Sequence, residues 1–128
     1  MSASDILVLA ETQEDGVADI TLEMLGAARQ LAKGTGGQVI VAVLSQDGAK
    51  YTDALKAADR IVVIDDPQLT SISPASFVKV LAEMVSAETP RAVLVGSTSI
   101  GLDVGPALAS KMDIPVLIGC QSFTAEGE

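Results

Sequence analysis

Apolar and polar positions fall into blocks of alternating period along the chain. Ile6 to Ala10 is a short apolar run ahead of a polar stretch, Glu11 to Asp19, and this predicts a buried strand followed by a loop. From Ile20 the period changes. Leu22, Leu25, Ala28, Leu31 and Ala32 recur at helical spacing, and Gly34, Gly36 and Gly37 end the segment. Val39 to Leu44 reads as a second strand, Tyr51 to Ala58 as a short helix, and Arg60 to Ile64 as a third strand closed by Asp65, Asp66 and Pro67. Ser73 is suited to cap a helix with Pro74 at its first position. Phe77, Val78, Leu81, Met84 and Val85 mark that helix's apolar face, and Thr89 and Pro90 break it. Ala92 to Val95 is a fourth strand. Asp103 to Lys111 is a helix in which Pro106 is tolerable if it lies in the first turn. Ile114 to Ile118 is a fifth strand, and the tail from Thr124 is polar.

Strands alternating with helices imply an α/β fold: a parallel five-stranded Rossmann-like sheet with helices on both faces, joined by right-handed crossovers. With 128 residues the chain is expected to form one domain. Composition agrees. Hydrophobic residues make up 48% of the chain and aromatics only 2%. The core is therefore built from Ala, Val, Leu and Ile, which suit a parallel sheet covered by helices.

Charge and chemical inventory narrow the function. The formal net charge is −9, which argues against nucleic acid, where phosphate contacts from Lys and Arg dominate. It argues equally against an anionic membrane surface. No apolar run approaches the roughly 20 residues that span a bilayer, and the N-terminus lacks the basic residues of a signal peptide. A cytoplasmic protein is expected. There is no histidine, so triads that need one cannot form within this chain, and one cysteine without histidine leaves no zinc site. Cys120 reads as a packing residue. Asp65 and Asp66 read as a polar turn, with a metal or a ribose as the alternative. A Ser-Lys pair between the serines of the 97–99 stretch and Lys111 is the remaining nucleophile candidate. Tyr51 and Phe123 are candidates for a contact surface, with packing as the competing role.

The segment VLVGSTSIGLDVGPAL, Val93 to Leu108, carries the most information. An apolar run ends at Gly96, and Ser97, Thr98 and Ser99 follow. Gly101 and Asp103 stand before a helical pattern. In open α/β sheets ligands collect at the carboxyl ends of strands, and glycines there let the backbone approach a phosphate. Gly96, Ser97, Thr98, Ser99, Gly101 and Asp103 are thus a candidate nucleotide or interface loop. Electrostatics favour the interface. No Lys or Arg lies between Ala92 and Ser110, and Asp103 would repel a phosphate.

This loop resembles the G-x-T-S-x-G-x-D segment of the N-terminal domain of the electron transfer flavoprotein α subunit. Other pieces are similar in the same order: ILVLAE at Ile6–Glu11, TLEMLGAARQLA at Thr21–Ala32, ADRIVVIDDPQL at Ala58–Leu69, and SPASFVKVLAEMV from Ser73. The resemblance implies an adenine-nucleotide-α-hydrolase-like domain over residues 1–128. It implies packing against an electron transfer flavoprotein β subunit, in an FAD-containing carrier that accepts electrons from flavin dehydrogenases rather than in an enzyme. It also implies that FAD sits outside this chain, in a C-terminal domain that 128 residues leave no room for, and that AMP, where bound, belongs to the β subunit. The expectation is a piece of a longer α subunit. Thr12 stands where the family commonly has His, and Leu102 where it usually has Arg. The second change removes a positive charge from the loop. The alternative reading is a stand-alone nucleotide-binding domain similar to universal stress proteins; a hydrolase of adenine nucleotides has only fold analogy behind it.

Overall fold

The computed structural model describes residues 5–13, 16–44, 55–64, 74–96 and 99–113. The elements are β1 (Ile6–Leu9), β2 (Thr12–Gln13), β3 (Gly16–Val17), α1 (Asp19–Thr35), β4 (Val39–Leu44), β5 (Arg60–Ile64), α2 (Pro74–Glu88), β6 (Ala92–Leu94) and α3 (Ser99–Met112).

Four of these strands form one parallel sheet in the order β5-β4-β1-β6. Alternation along the strands divides the core in two, since successive side chains point to opposite faces. Ile6, Val8, Val39, Val41 and Val43 pack with Met24, Leu25, Ala28 and Ala32 of α1. Leu7, Leu9, Ile40, Ala42 and Leu44 pack with Val78, Leu81 and Met84 of α2 and with Val104 and Leu108 of α3. Helices therefore cover both faces, as expected. The strands β1 and β4 are buried on both sides, which explains their unbroken Val/Ile/Leu/Ala sequences.

Local chemistry sets the boundaries of α1. Asp19 in its first turn and Lys33 in its last complement the helix dipole. The helix stops at Gly36, whose φ of 77° is left-handed and needs no Cβ. The N–H groups of Gly36 and Gly37 both donate to the Ala32 carbonyl, at 2.8 and 3.2 Å. Two aspartates then fix the amino ends of the strands. Asp5 is buried; its Oδ1 accepts the Gln38 N–H (2.8 Å) and its carbonyl accepts the Arg91 N–H (2.8 Å). Asp59 Oδ2 accepts the Val39 N–H (2.8 Å), while its own N–H donates to the Val39 carbonyl (2.9 Å).

The structure departs from the sequence expectation in the stretch after β1 and at the start of α3, and two further expectations fall wholly or partly outside the described residues. The sheet has four strands among the described residues, and the expected fifth, 114–118, lies outside them. The polar stretch after β1 is not only loop: β2 and β3 pair antiparallel within it. Of the expected helix at 51–58, residues 51–54 lie outside the described set and the rest is a single turn that buries Leu55. Finally, α3 begins at Ser99 rather than Asp103, so Pro106 stands inside the helix rather than in its first turn. Its ring leaves the Leu102 carbonyl without an intrahelical N–H. Burial of Val104, Leu108 and Ala109 on the flanking turns stabilises the helix against that cost.

Candidate functional site

The connection from β1 through α1 leads to β4 on one side of β1, whereas α2 delivers β6 to the other side. The strand order thus reverses between β1 and β6. In open α/β sheets the crevice outside the carboxyl ends of two such strands is the usual ligand position. Val8 pairs with Leu94, so the chain leaves these strands side by side, at Glu11 and at Gly96.

Glu11 is held by its backbone. Thr21, in the first turn of α1, is fully buried. Its Oγ1 accepts the Glu11 N–H at 2.8 Å and donates to the Glu11 carbonyl at 3.1 Å. That carbonyl also accepts the Ala18 N–H at 2.9 Å. One hydroxyl therefore ties the end of β1 to the start of α1, and the Glu11 side chain is directed across the crevice. Its Oε2 is buried and lies against Gly96. A Cβ built on Gly96 would collide with Glu11 Oε2 and come within 3.1 Å of Ile20 Cγ1. The glycine is required here by close approach of a side chain, not by an unusual φ.

The expected loop residues fall as follows. Gly96 is buried at the crevice, and Ser97 and Thr98 lie outside the described residues. Ser99 opens α3, Gly101 is its third residue, and Asp103 is exposed on its second turn. Lys111 stands in the last turn of the same helix. Twelve residues at about 1.5 Å each separate it from Ser99 by roughly 18 Å, so those two do not form a Ser-Lys pair. Thr12 is in β2, and Leu102 is on α3. Asp65, Asp66, Cys120, Tyr51 and Phe123 lie outside the described residues. Among the described residues no group of His, Cys, Asp and Glu is arranged to hold a metal ion, and no helix is long and apolar enough to cross a membrane.

The crevice is acidic. No Lys or Arg precedes Arg29 in the chain, and none lies between Ala92 and Ser110. Asp19 and Glu23 are exposed on the first turns of α1, and Asp103 on α3. The space beside Gly96 holds a carboxylate, and the segments before Arg29 and between Ala92 and Ser110 supply no cation. Sequence reasoning missed both Glu11 and Thr21. Glu11 follows a strand and reads as loop, and nothing in the spacing ties residue 11 to residue 96.

The site is thus a ligand crevice of an open α/β sheet whose opening is filled from within. Comparison with known proteins identifies it further. The family described as electron transfer flavoprotein domain matches residues 6–128. The chain belongs to this electron transfer flavoprotein family. It is 34% identical over 125 residues to the electron transfer flavoprotein subunit alpha of Megasphaera elsdenii, covering 96% of this chain and 37% of that protein. It is 29% identical over 121 residues to the acryloyl-CoA reductase electron transfer subunit beta of Anaerotignum propionicum, covering 93% of this chain and 33% of that protein. It is 26% identical over 117 residues to the lactate dehydrogenase (NAD(+),ferredoxin) subunit LctC of Acetobacterium woodii, covering 90% and 28%. The chain therefore spans about a third of the length of these relatives.

Proposed function

We propose that residues 1–128 are an N-terminal-type domain of an electron transfer flavoprotein α subunit, a Rossmann-like scaffold that packs against a β subunit. The observation that carries this reading is the 34% identity to an α subunit across 96% of the chain. Its work is structural. The Gly96–Asp103 segment is read as its contact with another polypeptide, a reading supported by Gly96 following the carboxyl end of β6. In the assembled carrier FAD supplies the electron chemistry, taking electrons from flavin dehydrogenases. The family resemblance puts FAD outside this chain and AMP, where bound, in the β subunit, and the carboxylate beside Gly96 supports that reading. The cytoplasm is the compartment this reading entails.

The test is co-expression with an electron transfer flavoprotein β subunit, followed by size-exclusion chromatography with light scattering. A one-to-one complex is the expected result. Separate elution, under conditions where a full-length α subunit associates with the same β subunit, contradicts the reading. Titration with AMP discriminates the stand-alone nucleotide-binding alternative: micromolar affinity in the isolated chain favours that alternative.

A further inference from the structure

We infer that Glu11 is an exclusion residue: its carboxylate occupies the crevice between the carboxyl ends of β1 and β6 and bars a nucleotide phosphate from it. Three observations carry this. The position is the strand-order reversal, where sheets of this kind take ligands. The space beside Gly96 is filled by the buried Glu11 Oε2, so closely that not even a methyl group fits on Gly96 beside it. The filling is anchored, because Thr21 holds both the N–H and the carbonyl of Glu11 and fixes the direction in which the side chain leaves the backbone.

Exclusion has a steric and an electrostatic part. The carboxylate takes the volume that a phosphate oxygen needs. It also places negative charge there, with Asp19, Glu23 and Asp103 as the charged side chains of the adjoining helix turns. Two like charges in a part-buried site repel strongly, since the effective dielectric there is well below that of water. Filling is the larger part, because the Glu11 carboxylate takes the place beside Gly96 from which a phosphate would approach that residue's backbone. Gly96 accordingly has a role other than phosphate approach: it makes room for an internal carboxylate. The inference concerns this chain alone and does not depend on any partner.

The experiment compares the 128-residue chain with Glu11→Ala, Glu11→Gln and Gly96→Ala, each checked for folding by circular dichroism. Each is titrated with AMP and, separately, with inorganic phosphate at low ionic strength. Calorimetry and amide NMR at Gly96 are the readouts. Wild type is expected to show no saturable binding at 10 mM (about that concentration being the practical ceiling), and Gly96→Ala the same, because its methyl takes the space from which it displaces the carboxylate end. The Gln variant, which keeps the volume and loses the charge, is also expected to stay closed. Glu11→Ala is expected to bind the phosphate group at least about tenfold more tightly than the wild-type limit, with the shift centred on Gly96. A stronger response to AMP than to inorganic phosphate in that variant supports a nucleotide as the excluded class; equal responses overturn that assignment. Absence of binding in folded Glu11→Ala, or equal binding in wild type, overturns the proposal. Binding by Glu11→Gln as tight as by Glu11→Ala overturns the filling role. None of these outcomes reads β-subunit association, so failure here is separable from failure of the proposed function.

Discussion

Replacing Thr21 by valine tests whether one hydroxyl holds the crevice together. The substitution keeps the shape and the β-branch and removes only the Oγ1. Thr21 is 0% exposed, so water cannot take the hydroxyl's place without repacking. The Glu11 carbonyl loses the hydroxyl and keeps the Ala18 N–H at 2.9 Å. The Glu11 N–H loses the acceptor it had at 2.8 Å. A net hydrogen bond contributes about 1 kcal/mol, and leaving a donor unsatisfied costs about 1–3 kcal/mol when buried, so in this part-buried position a mid-range cost applies. The unsatisfied donor dominates, and the expected loss is roughly 2 kcal/mol. For a domain of this size that lowers Tm by roughly 6–10 °C, at about 3–5 °C per kcal/mol. Urea unfolding followed by circular dichroism measures it, with Thr21→Ser as the control. Serine keeps both hydrogen bonds and loses one buried methyl, at a cost of about 1 kcal/mol. Thr21→Val no more destabilising than Thr21→Ser would refute the reasoning, because the hydroxyl would then contribute nothing beyond its volume.

Other outcomes follow from the same geometry. Gly96→Ala should cost only about 1 kcal/mol, the low end for overpacking, because the obstructing atom ends a flexible side chain and Ile20 need yield only slightly. In a Glu11→Ala background the cost should fall to the small part that Ile20 must yield, and a double-mutant cycle showing no coupling would contradict the contact. Asp5→Ala leaves the Gln38 N–H without its 2.8 Å acceptor, and chemical denaturation should show a loss of about 2 kcal/mol, with Asp5→Asn milder. Leu25→Ala, at 1% exposure, should cost about 2–5 kcal/mol, whereas Leu22→Ala on the same helix, at 47%, should stay within about 0.5 kcal/mol. Thr89 ends α2 with φ 45°, a conformation unfavourable for a β-branched residue, so Thr89→Gly should raise the unfolding midpoint, equivalent to about 1 kcal/mol.

Much of the fold was legible because its periods are clean. The double burial of β1 and β4 is written in unbroken aliphatic runs, and Gly36 marks the end of α1 through the left-handed φ it adopts. The start of α3 was not legible. Proline inside a helix normally signals a boundary, and tertiary burial of Val104 and Leu108 overrode that local signal. The short β2–β3 pair was missed because two-residue strands carry no period. The candidate site was half legible. Gly96 was singled out for its place at a strand end, yet its reason for being glycine lies 85 positions away, in a carboxylate that only folding brings beside it. The acidity of the loop was readable directly, and it pointed the same way as the filled crevice.

The central claim is a scaffold that engages another polypeptide while leaving nucleotide and flavin to sites elsewhere. Native mass spectrometry of the chain, alone and mixed with an electron transfer flavoprotein β subunit, addresses both halves in one measurement. The account predicts the bare polypeptide mass for the chain alone and a one-to-one complex in the mixture. A chain that carries a stoichiometric AMP or FAD increment by itself and ignores the β subunit would contradict it.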